Sequence, residues 1–197
     1  LASMKEGLRF IHARAAMRAL IALAFLATLL GIPLIVFLPV VARDIFHRGA
    51  NTYTLLLSVS GGGAVAGALM VAALSHSRKQ GRMALILLTA LGALVAAFAL
   101  SRNLALSCVL LFLAGAALIA VFALLTSLVQ HLAADEMRGR VMSVYNVAFR
   151  GGTPFGSLVT GGLVPVFGAP AILAANGVLL ACLGLYSLLI HRRVAEV

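Results

Sequence analysis

Six stretches of this chain are long and apolar enough to cross a bilayer, and little of the chain lies outside them. They run over about 19–41, 52–74, 83–100, 104–129, 141–167 and 170–190 of the 197 residues. A hydrocarbon core about 30 Å thick takes roughly 20 consecutive apolar residues as a helix. Lipid offers no hydrogen bonds, so each span must satisfy its backbone internally, as an α-helix does. The connections are short, which makes consecutive helices neighbours in one bundle. The fold class expected is an all-α membrane protein with six transmembrane helices.

The charged residues agree with this. They make up only 10% of the chain, against 63% hydrophobic residues, whereas a water-soluble domain carries about 25% charged residues. The formal charge of +10 does not point to nucleic acid. The basic residues sit in short clusters between apolar runs, without a continuous stripe or interleaved aromatics. Lys5, Arg9, Arg14, Arg18, Arg78, Lys79, Arg82, Arg138, Arg140, Arg192 and Arg193 fall on one side of the spans, and Arg43, Arg48 and Arg102 on the other. The richer side is cytoplasmic by the positive-inside rule, so both termini are expected there.

Three regions follow. Residues 1–18 overlap "MKEGLRFIHARAAMRAL" (Met4–Leu20), in which Leu8, Ile11, Ala15 and Leu20 can share a face opposite Lys5 and Arg9. This reads as an amphipathic helix on the membrane surface. Residues 19–191 form the six-helix domain, and 192–197 a cytoplasmic tail. The chain opens "LASMKEG", with no initiator Met at position 1 and no signal peptide, and is expected to be a piece of a longer protein.

Enzyme signatures are missing. There is no GxSxG, HExxH, P-loop or pair of carboxylates within a span. The histidines (His12, His47, His76, His131, His191) are scattered, and Cys108 and Cys182 stand alone in separate apolar runs. No enzymatic activity, metal or cofactor is expected. "GGGAVAG" follows no strand and is no dinucleotide loop. Gly63 and Gly67 form a GxxxG there, and Gly152 and Gly156 another. Small residues at this spacing let helices approach closely in lipid.

The fifth stretch, "MSVYNVAFRGGTPFGSLVTGGL", carries Arg150 in otherwise apolar or small surroundings. At 100° per residue, Ser143, Asn146, Arg150, Thr153 and Ser157 fall within about one quarter of the helix circumference. Arg150 lies about 14 Å along the helix from Val141, close to the middle of a roughly 30 Å core. Pro154 removes the N–H that would bond the Arg150 carbonyl, and Gly151 and Gly152 leave space beside it. Lipid disfavours such a face, so it should look onto a cavity or another helix.

"DEMRGRVMSVYNVAFRGGTPFGSLVTGGL" resembles the loop and eleventh helix of major facilitator superfamily transporters, in the branch of enterobactin exporters and macrolide efflux proteins. "EGLRFIHARAAMRALIAL" resembles the linker helix leading into that family's seventh helix. "GALMVAALSHSRKQGRM" resembles a degraded copy of its GxxxD(R/K)xGR(R/K) loop, with Gly81 and Arg82 on the GR and the acidic position absent. The resemblance implies the C-terminal half of a twelve-helix transporter, built as two inverted three-helix repeats, with substrate bound near the midplane. The third and sixth helices would face lipid.

The function the resemblance implies is proton-coupled efflux of small, partly lipophilic molecules by alternating access across a bacterial inner membrane. Ser143, Asn146, Arg150, Thr153 and Ser157 would line the substrate cavity. Pro33, Gly63, Gly67, Gly151, Gly152, Pro154 and Gly156 would serve helix breaks and close packing, and Gly81, Arg82, Arg138, Gly139 and Arg140 the cytoplasmic gating loops. The partners implied are the bilayer, an N-terminal six-helix half, a small-molecule substrate and protons. The alternatives are a free-standing six-helix protein acting as a dimeric half-transporter or scaffold, and a membrane enzyme.

Overall fold

The computed structural model describes residues 2–47, 49–73 and 79–190. Arg48, His76, Arg78, His191, Arg192, Arg193 and the tail over 192–197 lie outside the described residues. Every element within them is helical: α1 (Ala2–His12), α2 (Ala15–Gly31), α3 (Pro33–Val36), α4 (Leu38–Asp44), α5 (Ala50–Ala73), α6 (Gln80–Leu100), α7 (Leu104–Leu132), a 3-10 turn (Asp135–Met137), α8 (Arg138–Phe167) and α9 (Ala169–Ile190).

Five of these helical stretches are long and apolar enough to cross a membrane: Ala15–Val36, Ala50–Ala73, Gln80–Leu100, Leu104–Leu132 and Ala169–Leu189. The expected fifth span, α8, has the length, at 30 residues, but not the apolarity. Arg138, Arg140, Arg150 and the run of Gly, Ser, Thr and Asn dilute it. The expected first span is not one rod either. Its apolar part begins earlier, at Ala15, and the helix breaks before Pro33 and again at Phe37, where the backbone leaves helical geometry (φ −95°, ψ 6°). Both prolines stand in the first turn of the helix that follows, the position proline tolerates best.

Three seams hold the bundle together. In each, a glycine lets backbone meet backbone. A Cβ on Gly63 would lie 1.9 Å from the Phe112 carbonyl oxygen, and one on Gly67 2.2 Å from that of Ala116, so α5 lies flush on α7. Gly92, Gly177 and Gly184 do the same between α6 and α9. Gly152 and Gly156 press α8 onto Phe25, Thr28 and Leu29 of α2. Apolar side chains gain nothing by leaving lipid for each other, so this close packing is the main attraction available.

Numbered as membrane helices, the seams join first to fifth, second to fourth and third to sixth. Exchanging first with fourth, second with fifth and third with sixth maps this set onto itself. Two three-helix repeats related by a pseudo-two-fold axis have this property.

Short polar devices finish the helix ends. Asn103 caps α7, its side chain accepting from the N–H groups of Ala105 (2.9 Å) and Leu106 (3.2 Å). Beside it, the buried Ser107 hydroxyl donates to that of Ser101 at 2.9 Å. Gly168 takes φ +81° between α8 and α9, a conformation other residues rarely adopt. Arg43 pairs with Asp44 at 2.7 Å at the end of α4, and its hydrogen bond holds the Asp44 carboxyl below the usual range.

Candidate functional site

Helix α8 buries little beyond its seam. Val141, Tyr145, Gly152, Gly156 and Thr160 are its buried residues, and they follow one face. Thr160 accepts a hydrogen bond from the Asn176 side-chain amide of α9 at 3.1 Å. The polar stripe lies round the helix from the seam, away from α2.

On that open side Asn146, Phe149, Arg150, Thr153 and Pro154 line a depression of ≈ 420 Å³. Arg150 and Asn146 are exposed and Thr153 is half-buried. No hydrogen bond or ion pair to the Arg150 guanidinium occurs among the described residues. A guanidinium at membrane depth is expensive without a partner. Ser143 and Ser157 share the stripe but not the depression. Ser143 turns its hydroxyl back to the Gly139 carbonyl at 2.9 Å, and Ser157 is half-buried. Pro154 lies within α8 without ending it, leaving the Arg150 carbonyl short of its helical donor.

Behind the depression stands an aromatic cluster that sequence reasoning missed. Phe149 stacks with Tyr145 (centroids 5.7 Å apart) and meets Phe122 of α7 edge-on at 4.8 Å. The Tyr145 hydroxyl lies 2.9 Å from Thr126 Oγ1, which itself donates to the Phe122 carbonyl at 2.7 Å. Tyr145 is therefore the donor to Thr126. This ties α7 to α8 and holds Phe149, one wall of the depression. The one available signal was the i, i+4 spacing of Tyr145 and Phe149 on a helix otherwise poor in aromatics.

The residues expected in gating loops stand instead in the first turns of α6 and α8. Arg140 pairs with Glu6 of α1, and Arg138 with Asp135 at 2.6 Å. Gly7 sits against the Arg140 backbone, where a Cβ would be 2.9 Å from its carbonyl oxygen. Arg14 donates to the Leu132 carbonyl at the end of α7 (3.0 Å) and lies over the Phe10 ring at 4.2 Å. So α1 is docked on the ends of α7 and α8. Arg82 is exposed and Gly81 buried, and near them Ser127 of α7 donates to the Gln80 side chain at 3.4 Å. Gly139 and Gly151 have open space where a Cβ would stand.

A family model described as "Transmembrane secretion effector", from the major facilitator superfamily, matches residues 1–197. No curated protein and no solved structure gives a match.

Proposed function

The chain belongs to the transmembrane secretion effector family of the major facilitator superfamily, and on that premise we propose that it exports small, partly lipophilic molecules by proton-coupled alternating access. A multi-pass membrane transporter is what the family and the apolar helices establish. The substrate type, the direction and the coupling ion are our proposal.

The observation that carries it is Arg150. It stands at mid-helix on an uncovered polar stripe, over a depression, with no counter-ion among the described residues. In our reading a second six-helix half covers this stripe, and the space between the halves is the substrate cavity. Asn146 and Thr153 supply neutral hydrogen-bonding groups, Ser143 and Ser157 extend the polar wall, and Phe149 and Pro154 give apolar surface for the lipophilic part. Arg150 presents a fixed fork of donors that stays charged at any physiological pH. It selects a substrate with an anionic or acceptor-rich group, or holds a facing carboxylate ionised. It does not carry the proton. The acidic residues of the chain are Glu6, Asp44, Asp135, Glu136 and Glu196, all outside the middle of a span. The proton-carrying acid therefore belongs to the covering half.

The eleven-to-three distribution of basic residues supports a bacterial inner-membrane orientation with both termini cytoplasmic. The helix starts at Gly81–Arg82 and Arg138–Gly139–Arg140 then lie at the cytoplasmic gate.

The test is transport by the full-length protein in vesicles at equal membrane abundance. Arg150→Ala is expected to lower the rate about tenfold or more, the worth of a hydrogen bond to a charged group. Arg150→Lys, which keeps the charge but loses the planar fork, should fall between. Wild-type rates in Arg150→Ala would overturn the cavity reading.

A further inference from the structure

A second concavity shares no lining residue with the Arg150 depression. It is an apolar groove of ≈ 130 Å³ between α2 and α9, walled by Ala22, Leu23, Leu26, Leu183, Tyr186 and Ser187. Both helices are long and apolar enough to cross a membrane, and lipid is the natural occupant of an apolar groove between two such helices. One end of the groove is charged. Arg18 precedes Ala22 by one helical turn, which puts it directly above the wall that Ala22 and Leu26 form. It is exposed, and among the described residues its guanidinium makes one donation, to the His12 carbonyl at 2.6 Å. A guanidinium has five donors, so several remain for an anion.

Depth fits as well. Helix α1 leads into this end of α2 and leaves Leu8 49% exposed beside Arg9, as a helix lying at the lipid headgroups does. Arg18 is thereby at headgroup level. From Arg18 to Leu26 is about 12 Å along the helix, the upper part of one leaflet. Tyr186, 55% exposed on the facing wall, adds an amphipathic ring of the kind favoured at that level.

We propose that this groove is a binding site for an anionic phospholipid, with one acyl chain between α2 and α9 and the phosphate on Arg18. Basic residues at the mouth of a cleft between membrane helices select anionic headgroups over zwitterionic ones. The apolar walls alone would take any acyl chain; Arg18 makes the site selective. The site is independent of what the protein carries. Because the lipid bridges α2 and α9, which hold the first and last membrane helices of the bundle together, it also braces a junction that lacks a glycine seam.

The test uses the full-length protein in vesicles. The chain contains no tryptophan, so Ala22→Trp, with any tryptophan elsewhere in the protein changed to phenylalanine, reports the lipid beside it through quenching by brominated acyl chains. Brominated phosphatidylglycerol and brominated phosphatidylcholine are compared at equal low fractions in unlabelled phosphatidylcholine. The anionic lipid should associate about fivefold more strongly, the worth of one basic residue near an anionic headgroup. Arg18→Gln should bring the two lipids to parity. Tyr186→Trp provides the same reading from the facing wall if Ala22→Trp does not fold. Leu69→Trp, on the exposed side of α5, should not change its lipid preference with Arg18→Gln. Equal quenching by the two lipids overturns the site, as does an anionic preference that survives Arg18→Gln. A preference lost equally at Leu69→Trp also overturns it, since bulk surface charge then explains the effect.

Discussion

The carbonyl oxygen of Leu29 lies where a side chain on Gly156 would begin: a Cβ built there would be 2.0 Å from it. Four residues after Leu29 stands Pro33, which has no N–H to give that carbonyl. The Cα hydrogen of Gly156 points at the freed oxygen instead, a weak contact that recurs at close helix crossings. A proline on one helix and a glycine on another thus serve the same backbone group.

Adding a methyl group at this crossing should therefore separate α2 from α8. Gly156→Ala and Gly152→Ala are each expected to destabilise the folded protein by about 1–3 kcal/mol, the usual penalty of overpacking. Gly151→Ala, where no atom lies within 4 Å of the added carbon, should be nearly neutral. Thermal unfolding of the three variants in detergent compares them directly, and equal melting of Gly151→Ala and Gly152→Ala would contradict the seam.

The Tyr145 hydroxyl links α8 to Thr126 on α7. Tyr145→Phe keeps the ring stack with Phe149 and removes only this bond, so a loss of about 0.6 kcal/mol is expected, typical of interhelical bonds in membranes. A double-mutant cycle with Thr126→Val should find most of that loss absent when Thr126 is already replaced. Additive losses would mean that the two groups act separately.

Docking of α1 rests on the Glu6–Arg140 pair and on Gly7 against the Arg140 backbone. The ion pair is exposed, so replacing Arg140 with Gln should change stability by no more than about 1 kcal/mol. Proximity is the stronger test. In a background lacking Cys108 and Cys182, Glu6→Cys with Arg140→Cys should form a disulfide on mild oxidation, whereas Glu6→Cys with Arg82→Cys should not.

Water access distinguishes the two sides of α8. Arg150→Cys and Asn146→Cys should react with a membrane-impermeant thiol reagent in at least one conformation of the transporter. Thr160→Cys, at a buried position bonded to Asn176, should stay protected. Protection of Arg150→Cys throughout the cycle would make the arginine a buried tie.

Much of this was legible in the sequence because lipid imposes long, uniform signals. Five of the six expected spans follow from apolar length, and the glycine pairs Gly63–Gly67 and Gly152–Gly156 and the shared face of Asn146, Arg150 and Thr153 follow from the helical period. Where two preferences compete, the reading was coarser. The stretch over 19–41 is apolar throughout, and hydropathy alone cannot say that Pro33 and Pro39 divide it into three helices. Nor does apolarity identify α8 as a span, since its partners rather than its composition keep it in the bundle. The pairing of Glu6 with Arg140 spans 134 positions and leaves no periodic trace. Ser143, placed on the polar wall by its angle, spends its hydroxyl on its own helix.

The order of the seams sets a timetable for biogenesis. They join second to fourth, first to fifth and third to sixth, so none can close while only three helices have left the ribosome. The first three helices must wait as loosely associated segments. The second-to-fourth seam closes first. The fifth helix, too polar to insert on apolarity alone, then arrives to find the Thr28–Leu29 surface of the first helix already in place to receive Gly152 and Gly156. Its insertion is thus a templated event, and a lesion on the first helix would be felt as a failure of the fifth to integrate.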